Sequence, residues 1–250
     1  MVEVNKLVED RCNAGHCTSS QCHTISLTVI KKAVRSLAQN KIDQTYNISS
    51  SHFINGTKLL FSMLSQIITA MLRHGSTNVH LNKAVIKPIP KSSLKSHADS
   101  SNYRAISLNP IISKIIDHVI ISIVKDKIMT SHLQFAYKES FSTSLCSFLV
   151  TETIQYYQAR GSNVYMLLLD ATKAFDRVQY SKLFKLLIER DICPLIVRLL
   201  LNMYLISSAV VSWNGVKSEQ FKICNGVKQG GVLSPLLFSI YINPLIQELN

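Results

Sequence analysis

The stretch Val164–Val178, VYMLLLDATKAFDRV, is the part of the sequence that decides the fold. Its first six residues form a continuous apolar run, which is too short for a buried helix and suits a central strand covered on both faces. The run ends abruptly at Asp170. Because a carboxylate at the end of a buried strand can hold a hard divalent cation, Asp170 is the first candidate functional residue. The alternative is an aspartate that only caps the following turn.

Bulk composition indicates a folded protein with an anionic partner. Hydrophobic residues make up 47% of the 250 residues and charged residues 17%, which excludes a disordered chain. The net charge of +12 favours nucleic acid, although an acidic protein partner fits it too. No apolar run is long enough to cross a bilayer, and the first residues lack the apolar core of a signal peptide. We therefore expect no membrane contact and an intracellular location, in the nucleus or the cytoplasm.

Helices are predicted on both sides of the decisive stretch, together with a few strands. Apolar residues at helical spacing, with capping residues at several ends, predict the helices, and the first four should each bury one face. The helical segments are Ser26–Leu37, Thr57–Gly75, Asn109–Ile123, Ser144–Arg160, Ser181–Arg190 and Pro194–Tyr204, with a last helix opening at Ser234-Pro235. A strand is predicted over Lys83–Ile89, and Val210–Trp213 should return in a hairpin through Asn214-Gly215.

The N-terminal segment contains a cluster of cysteines and histidines. The string CNAGHCTSSQCH offers the right ligand types for zinc, but its spacing does not match a zinc knuckle and no second CxxC half follows. We predict a loosely ordered leader over residues 1–25 instead. Without a secretory signal, the six cysteines of the chain are predicted to be reduced thiols. The cluster consists of Cys12, His16, Cys17, Cys22 and His23.

Five blocks of the sequence resemble the reverse transcriptases of non-LTR (LINE-type) retrotransposons. LDATKAFDRV, at 169–178, resembles the first catalytic-aspartate motif, and NGVKQGGVLSPLLFSIYIN, at 225–243, resembles the palm motif that follows it. KAVIKPIPK, at 83–91, and SNYRAISLNPIISKIID, at 101–117, resemble motifs of the fingers. QFAYKESFSTSLC, at 134–146, resembles the segment between the fingers motifs and the catalytic-aspartate motif. All five occur in the order that the family shows.

The resemblance implies a metal-dependent transfer of nucleotides, centred on Asp170. This carboxylate would bind Mg²⁺ in a two-metal site, with help from the main-chain carbonyl of Ala171. Phe175 would lie under the incoming sugar and clash with a 2′-hydroxyl, which selects deoxynucleotides. A packed core phenylalanine is the alternative. Asp176 is predicted to be structural, because the first aspartate of the motif holds the metal in this family.

The resemblance also implies contacts to the triphosphate and to the base pair. Arg104 would contact the triphosphate, because a planar guanidinium can bind phosphate oxygens in bidentate fashion. Lys91 is a second candidate for this contact, although a lysine in a basic loop is usually only solvated. Gln229 and Gly230 would pack against the nascent base pair, where a glycine lets the backbone approach closely.

The implied architecture is α+β, a right-hand polymerase with fingers, a partial palm and no thumb. Residues 26–162 would be mainly fingers and 163–250 a partial palm, with a fingers insertion at about 180–223. The Tyr-Ala-Asp-Asp motif of the family is not reached before Asn250. The two-metal site would then be incomplete, and we expect the chain to be inactive alone.

Three functions follow from this interpretation. The first is an RNA-directed DNA polymerase domain whose partners are an RNA template, a DNA primer and deoxynucleoside triphosphates. The second is a non-catalytic remnant that still binds nucleic acid. The third is a translated relic that does not fold stably, because an exposed sheet edge invites aggregation.

Overall fold

The computed structural model describes residues 2–13, 24–93 and 96–249. Within these ranges the chain has a mixed α+β fold with one mixed sheet, which confirms the predicted class. The helices are α1 (Val2–Asn13), α2 (Leu27–Arg35), α3 (Ser50–Ile54), α4 (Lys58–His74), α5 (Ile111–Val124), α6 (Thr143–Gln158), α7 (Tyr180–Glu189), α8 (Pro194–Leu205) and α9 (Ser234–Glu248). The strands are β1 (Lys83–Pro90), β2 (Tyr103–Leu108), β3 (Ser208–Trp213), β4 (Val216–Lys217) and β5 (Phe221–Lys222).

The sheet joins parts of the chain that are far apart in sequence. Its order is β2-β1-β3-β4, and β5 also pairs with β3. Strand β1 is antiparallel to β2 but parallel to β3, with Ile86 opposite Val211. The predicted strand and hairpin are both confirmed. Asn214 and Gly215 have φ values of 46° and 84°, as the tight turn of a two-residue hairpin requires.

The hydrophobic core lies among the helices. The predicted apolar face of α2 is buried, and α5, α7 and α8 add side chains that are fully shielded from solvent. Part of the predicted leader joins them, because Val4 and Val8 of α1 are buried in the same core. None of the helices in the described ranges is both long and apolar enough to cross a membrane.

The cysteines only partly follow the prediction of reduced thiols. Cys12, Cys146 and Cys224 are free. Cys193, which precedes α8, is disulfide-bonded, so the prediction is wrong at this position. The other members of the N-terminal cluster, at positions 16, 17, 22 and 23, lie outside the described residues.

Helix α4 begins and ends as its sequence predicts. The Thr57 hydroxyl accepts a hydrogen bond from the Leu60 N–H at 3.5 Å. Gly75 ends the helix with a φ of +64°, the left-handed conformation that glycine adopts most readily. Local sequence is therefore sufficient to set both ends of this helix.

Helix α5 does not begin as predicted, because Asn109 does not cap it. Instead, the buried carboxylate of Asp43 accepts a hydrogen bond from the Ile111 N–H at 3.4 Å. The same carboxylate accepts from the N–H groups of Thr45 at 3.1 Å and Tyr46 at 2.6 Å. A distant loop thus supplies the acceptor that the start of α5 needs.

Asp43→Ala is therefore expected to lower the free energy of unfolding by about 2 kcal/mol, because it leaves buried N–H groups without an acceptor. Denaturant unfolding measures this loss. Asp43→Asn keeps one acceptor oxygen and should cost less. Asp126→Ala, at an exposed aspartate, serves as the control. Equal stabilities of the Asp43→Ala and Asp126→Ala proteins would show that the loop does not cap α5.

Two predicted core elements are wrong. Residues 162–171 form neither helix nor strand, and Tyr165 within them is 91% exposed. A strand needs a neighbour for its N–H and C=O groups, and no described segment pairs with this one. Helix α6 forms close to its predicted bounds, but it buries none of its residues. None of its apolar side chains joins the hydrophobic core of the described residues.

Candidate active site

A tight turn follows the extended segment that contains Asp170. Residues 172–177 form this turn, in which the Lys173 carbonyl accepts hydrogen bonds from the N–H groups of Asp176 and Arg177, at 3.0 and 3.2 Å. Lys173 itself has a positive φ of 53°. The buried Val178 then joins the turn to the core just before α7 begins. The burial of Val178 thus fixes the C-terminal end of the turn.

The segment 225–231, which we call the QGG segment, docks onto this turn through its backbone. The Gly226 N–H donates to the Val178 carbonyl at 2.9 Å, and the Val227 N–H donates to the Phe175 carbonyl at 2.9 Å. Gly226 has a φ of +87°, and a Cβ at this position would lie 2.9 Å from the Cα of Asp176. Only glycine fits this contact without displacing the turn.

The QGG segment also lies against the edge of the sheet. The Ser107 N–H of β2 donates to the Gln229 carbonyl at 2.7 Å. A Cβ on Gly230 would lie 3.1 Å from the Ser107 carbonyl oxygen and 3.6 Å from a methyl carbon of Ile106. The QGG segment therefore bridges the turn after Asp170 and strand β2.

Phe175 packs among other aromatic rings. Its ring centroid lies 4.9 Å from that of Phe238 in α9 and 6.3 Å from that of Tyr137. The side chain is half-buried and packs against the hydrophobic core. This packing matches the structural alternative for Phe175, and its contact with a sugar stays a prediction.

The predicted triphosphate contacts occupy different parts of the sheet. Arg104 is exposed on β2, and because side chains alternate along a strand, it projects from the same face as Ile106, beside Gly230. The ammonium of Lys91 donates to the Ser101 carbonyl at 2.8 Å and so holds the loop between β1 and β2. Its position fits a structural role at least as well as a phosphate contact.

The predicted metal ligands are more exposed to solvent than Phe175. Asp170 and Ala171 are both exposed in the extended segment. No hydrogen bond or ion pair joins Asp170 to Arg104 or Lys91 within the described part of the chain. The described residues also contain no group of three or more His, Cys, Asp or Glu side chains that could hold a metal ion. The predicted ligands, the carboxylate of Asp170 and the carbonyl of Ala171, would make up only a partial set for a divalent cation.

Sequence reasoning missed a small cavity that an acidic side chain shares with a basic side chain of the QGG segment. Asp117 of α5 and Lys228 both line a cavity of about 30 Å³ near the start of α9. Burial raises the pKa of Asp117 to about 7, while Lys228 and hydrogen bonds from the N–H groups of Val232 and Leu233 oppose the rise. Burial also lowers the pKa of Lys228, which Asp117 opposes. The sequence signal that could have revealed this cavity is Asp117 itself, the lone acidic residue of an apolar helix, four positions after the buried Ser113.

Known proteins resemble this chain over most of its length. Residues 89–250 match the family "Reverse transcriptase (RNA-dependent DNA polymerase)". The chain is 25% identical over 227 residues to the "Transposon TX1 uncharacterized 149 kDa protein" of Xenopus laevis, which covers 89% of this chain and 17% of that protein. It is 32% identical over 160 residues to the "Probable RNA-directed DNA polymerase from transposon X-element" of Drosophila melanogaster, which covers 61% of this chain and 17% of that protein.

These matches settle the family, although the chain spans only about one sixth of the length of the two relatives. The family match includes more than half of the chain and all the predicted site residues. Both relatives are transposon proteins, in agreement with the five sequence blocks. The chain therefore belongs to the reverse transcriptase family, as a domain of the non-LTR retrotransposon type.

Proposed function

We propose that this chain forms the nucleotide-binding part of an RNA-directed DNA polymerase, in which a primer 3′-hydroxyl attacks the α-phosphate of a deoxynucleoside triphosphate. One observation supports this most directly. The QGG segment bridges the turn that contains Phe175 and the strand that contains Arg104. Residues with predicted roles at the sugar, the triphosphate and the base pair thus belong to one connected unit.

The subdivision into fingers and partial palm is part of this proposal. We assign residues 26–162 mainly to the fingers and 163–250 to the palm, with a fingers insertion at about 180–223. Strand β3 supports the insertion, because it lies within 180–223 and pairs directly with β1. Strand β3, the first strand of the hairpin, therefore shares a sheet with the fingers motifs rather than with the segment around Asp170.

The residues of the site would act on the nucleotide in complementary ways. The guanidinium of Arg104 would bind oxygens of the triphosphate. The Phe175 ring would exclude a 2′-hydroxyl, while Gln229 and Gly230 would pack against the new base pair with the RNA template. Reverse transcriptases are generally dependent on a divalent metal, and Asp170 with the Ala171 carbonyl would be ligands for Mg²⁺. When bound, Mg²⁺ neutralises charge on the phosphates.

We expect Mg²⁺ to strengthen the binding of a deoxynucleoside triphosphate to this chain, and Asp170→Asn to weaken the Mg²⁺-dependent binding about tenfold or more. A fluorescent deoxynucleotide, titrated with and without Mg²⁺, measures the affinity. Asp176→Asn is the matched control, because Asp176 is an exposed aspartate in the adjacent turn. Equal losses in both variants would contradict the assignment of Asp170 as the metal ligand.

Primer extension tests the completeness of the site. After Asp170 the sequence contains only two further aspartates, Asp176 and Asp191, and neither belongs to a Tyr-Ala-Asp-Asp motif. One carboxylate does not position two ions for in-line attack, so we expect no extension by the 250-residue chain alone. Mg²⁺-dependent extension that Asp170→Ala abolishes would overturn this expectation.

A non-catalytic nucleic-acid-binding role is the second candidate. The net charge of +12 supports it, because basic residues gain affinity for nucleic acid by releasing counterions. In that case the chain binds nucleic acid in a salt-dependent way but shows no Mg²⁺-dependent affinity for deoxynucleotides. The nucleotide titration therefore separates the two candidates.

A further inference from the structure

The basic residues of the sheet all project from one of its two faces. The five strands, all within the described ranges, contain five basic residues and no acidic residue. Side chains alternate between the faces along a strand, and residues that pair across two strands share a face. The registers therefore place Lys83, Lys87, Arg104, Lys217 and Lys222 on the same face. We call this surface the lysine face.

Two of the lysines lie at one end of the lysine face. Lys83 of β1 and Lys222 of β5 both pair with Ser208 of β3, from opposite sides. Because neighbouring strands are about 4.8 Å apart, the Cα atoms of these lysines are separated by about 10 Å. Both side chains line an open cavity of about 590 Å³, together with Ser208, Gln220 and His80 among others, and no acidic residue of the described chain lines it. This end of the face is thus a basic concave surface.

The other two lysines form a second row across the strands. Lys217 of β4 pairs with Ser212 of β3. Ser212 follows Val211, which is opposite Ile86, so Lys87 is the neighbour of Ser212 on β1. Four residues of β1 separate the two rows, which is about 13 Å at the usual rise of a strand. The Cα atoms of the four lysines therefore outline an area of about 10 by 13 Å.

The four lysines are available to a ligand. Lys87, Lys217 and Lys222 are exposed, and Lys83 is half-buried. Within the described part of the chain, no hydrogen bond or ion pair engages the ammonium group of any of them. The ammonium of Lys127, by contrast, lies 3.0 Å from a carboxylate oxygen. Like charges on one face repel one another, so an anionic ligand would be attracted there.

Protection of the sheet edges explains only half of this arrangement. Lysines on edge strands discourage pairing with other chains, which accounts for Lys217 of β4 and Lys222 of β5. Strand β1, however, lies between β2 and β3. Lys83 and Lys87 therefore protect no edge of the folded sheet, and their place on the same face as the other two requires a different cause.

We propose that the lysine face binds the phosphodiester backbone of a nucleic acid. Ammonium groups that neutralise phosphates release counterions, which supplies affinity without regard to base sequence. Arg104 projects from the same face, so a nucleic acid bound there would lie on the same side of the sheet as the proposed triphosphate contact. The inference rests on the proposed function in its choice of nucleic acid as the partner. It adds the surface that holds the phosphates of that partner.

The salt dependence of binding tests this proposal. The affinity of the whole chain is measured from the anisotropy of a labelled single-stranded RNA of about 12 nucleotides, a DNA of the same sequence and the corresponding DNA duplex. Salt is varied from about 50 to 200 mM. Each lysine that contacts a phosphate adds about 0.7 to the slope of log affinity against log salt for a single strand, and about 0.9 for a duplex. Tighter binding to poly-glutamate than to all three nucleic acids would overturn the proposal in favour of an acidic protein.

Variants that remove one row of lysines at a time then locate the site. Each is expected to lower the slope by about 1.5 and to weaken binding at about 100 mM salt at least about tenfold. The two double variants are Lys83→Gln with Lys222→Gln, and Lys87→Gln with Lys217→Gln. The matched control is Lys6→Gln with Lys31→Gln, which removes the same charge from exposed positions on α1 and α2. Equal losses in all three double variants would show that only net charge matters, and would overturn the proposal.

The ligand and the nucleotide site are distinguished by the same proteins. A lower slope with the duplex alone, or with a single strand alone, identifies which backbone the lysine face holds. Both double variants retain Arg104 and Asp170, so they should bind a deoxynucleoside triphosphate as the unmodified chain does. Absence of deoxynucleotide binding with an intact lysine effect contradicts only the proposed function. Intact deoxynucleotide binding with unchanged slopes in both double variants contradicts only the lysine face.

Discussion

Gly226→Ala is expected to lower the free energy of unfolding by about 3 kcal/mol, the sum of a strained backbone and a steric clash. Gly226 has a φ of +87°, and the new Cβ would lie 2.9 Å from the Cα of Asp176 and 3.0 Å from its carbonyl oxygen. Backbone atoms cannot move aside as a flexible side chain can. The QGG segment would therefore separate from the turn, which denaturant unfolding measures as a lower midpoint.

Gly161→Ala is the matched control for this substitution. Gly161 has a similar φ of +76°, but nothing lies within 4 Å of an added Cβ. The control therefore contains the backbone strain without the clash, and it should cost only about 1 kcal/mol. If both variants lose the same stability, the close contact between Gly226 and the turn is not what requires glycine there.

Asp117→Asn is expected to change how the stability of the protein depends on pH. Burial raises the pKa of Asp117 to about 7, far above its value of about 3.9 in an unfolded chain. Between these values the folded protein holds a proton that the unfolded chain has released. Asp117 therefore contributes its full share to the free energy of unfolding below about pH 4. As the pH rises to about 7, the protein loses this share, which is about 4 kcal/mol at most.

Unfolding measured from pH 4 to pH 8 tests this dependence. The unmodified protein should lose stability over this range relative to Asp117→Asn, whose amide does not titrate. Asp126→Asn, at an exposed aspartate, should keep the slope of the unmodified protein. Lys228→Met should cost about 3–5 kcal/mol at pH 8, because the buried carboxylate then has lost the cation that stabilises its charge most. Parallel pH profiles for Asp117→Asn and the unmodified protein would rule out Asp117 as the titrating group.

Local sequence predicted those features whose determinants lie within a few residues. Thr57 and Gly75 set the ends of α4, and Asn214-Gly215 set the hairpin. The resemblance to a known family then located the QGG segment and Arg104. The helix ends and the hairpin were found where their short strings predicted, whereas the roles of Arg104, Gln229 and Gly230 stay predictions.

The failures involve partners that are distant in sequence. The acceptor for the first turn of α5 comes from Asp43, 68 residues before Ile111, so the nearby Asn109 was a misleading candidate. The apolar run before Asp170 has the composition of a strand, but pairing depends on a neighbour that no local pattern specifies. The pair of Asp117 and Lys228 is equally non-local. Its members come together only when α5 packs beside the QGG segment.

The parallel pairing of β1 with β3 also fixes an order of events during synthesis. The antiparallel pair β1 and β2 leaves the ribosome as a unit, whereas the β3 edge arrives only after residues 109–207 have been made. At the usual rate of translation this interval is on the order of ten seconds. Throughout it, the edge of β1 that later receives β3 is open to other chains. Slower elongation would lengthen this exposure, which falls at a stage when most of the helices already exist.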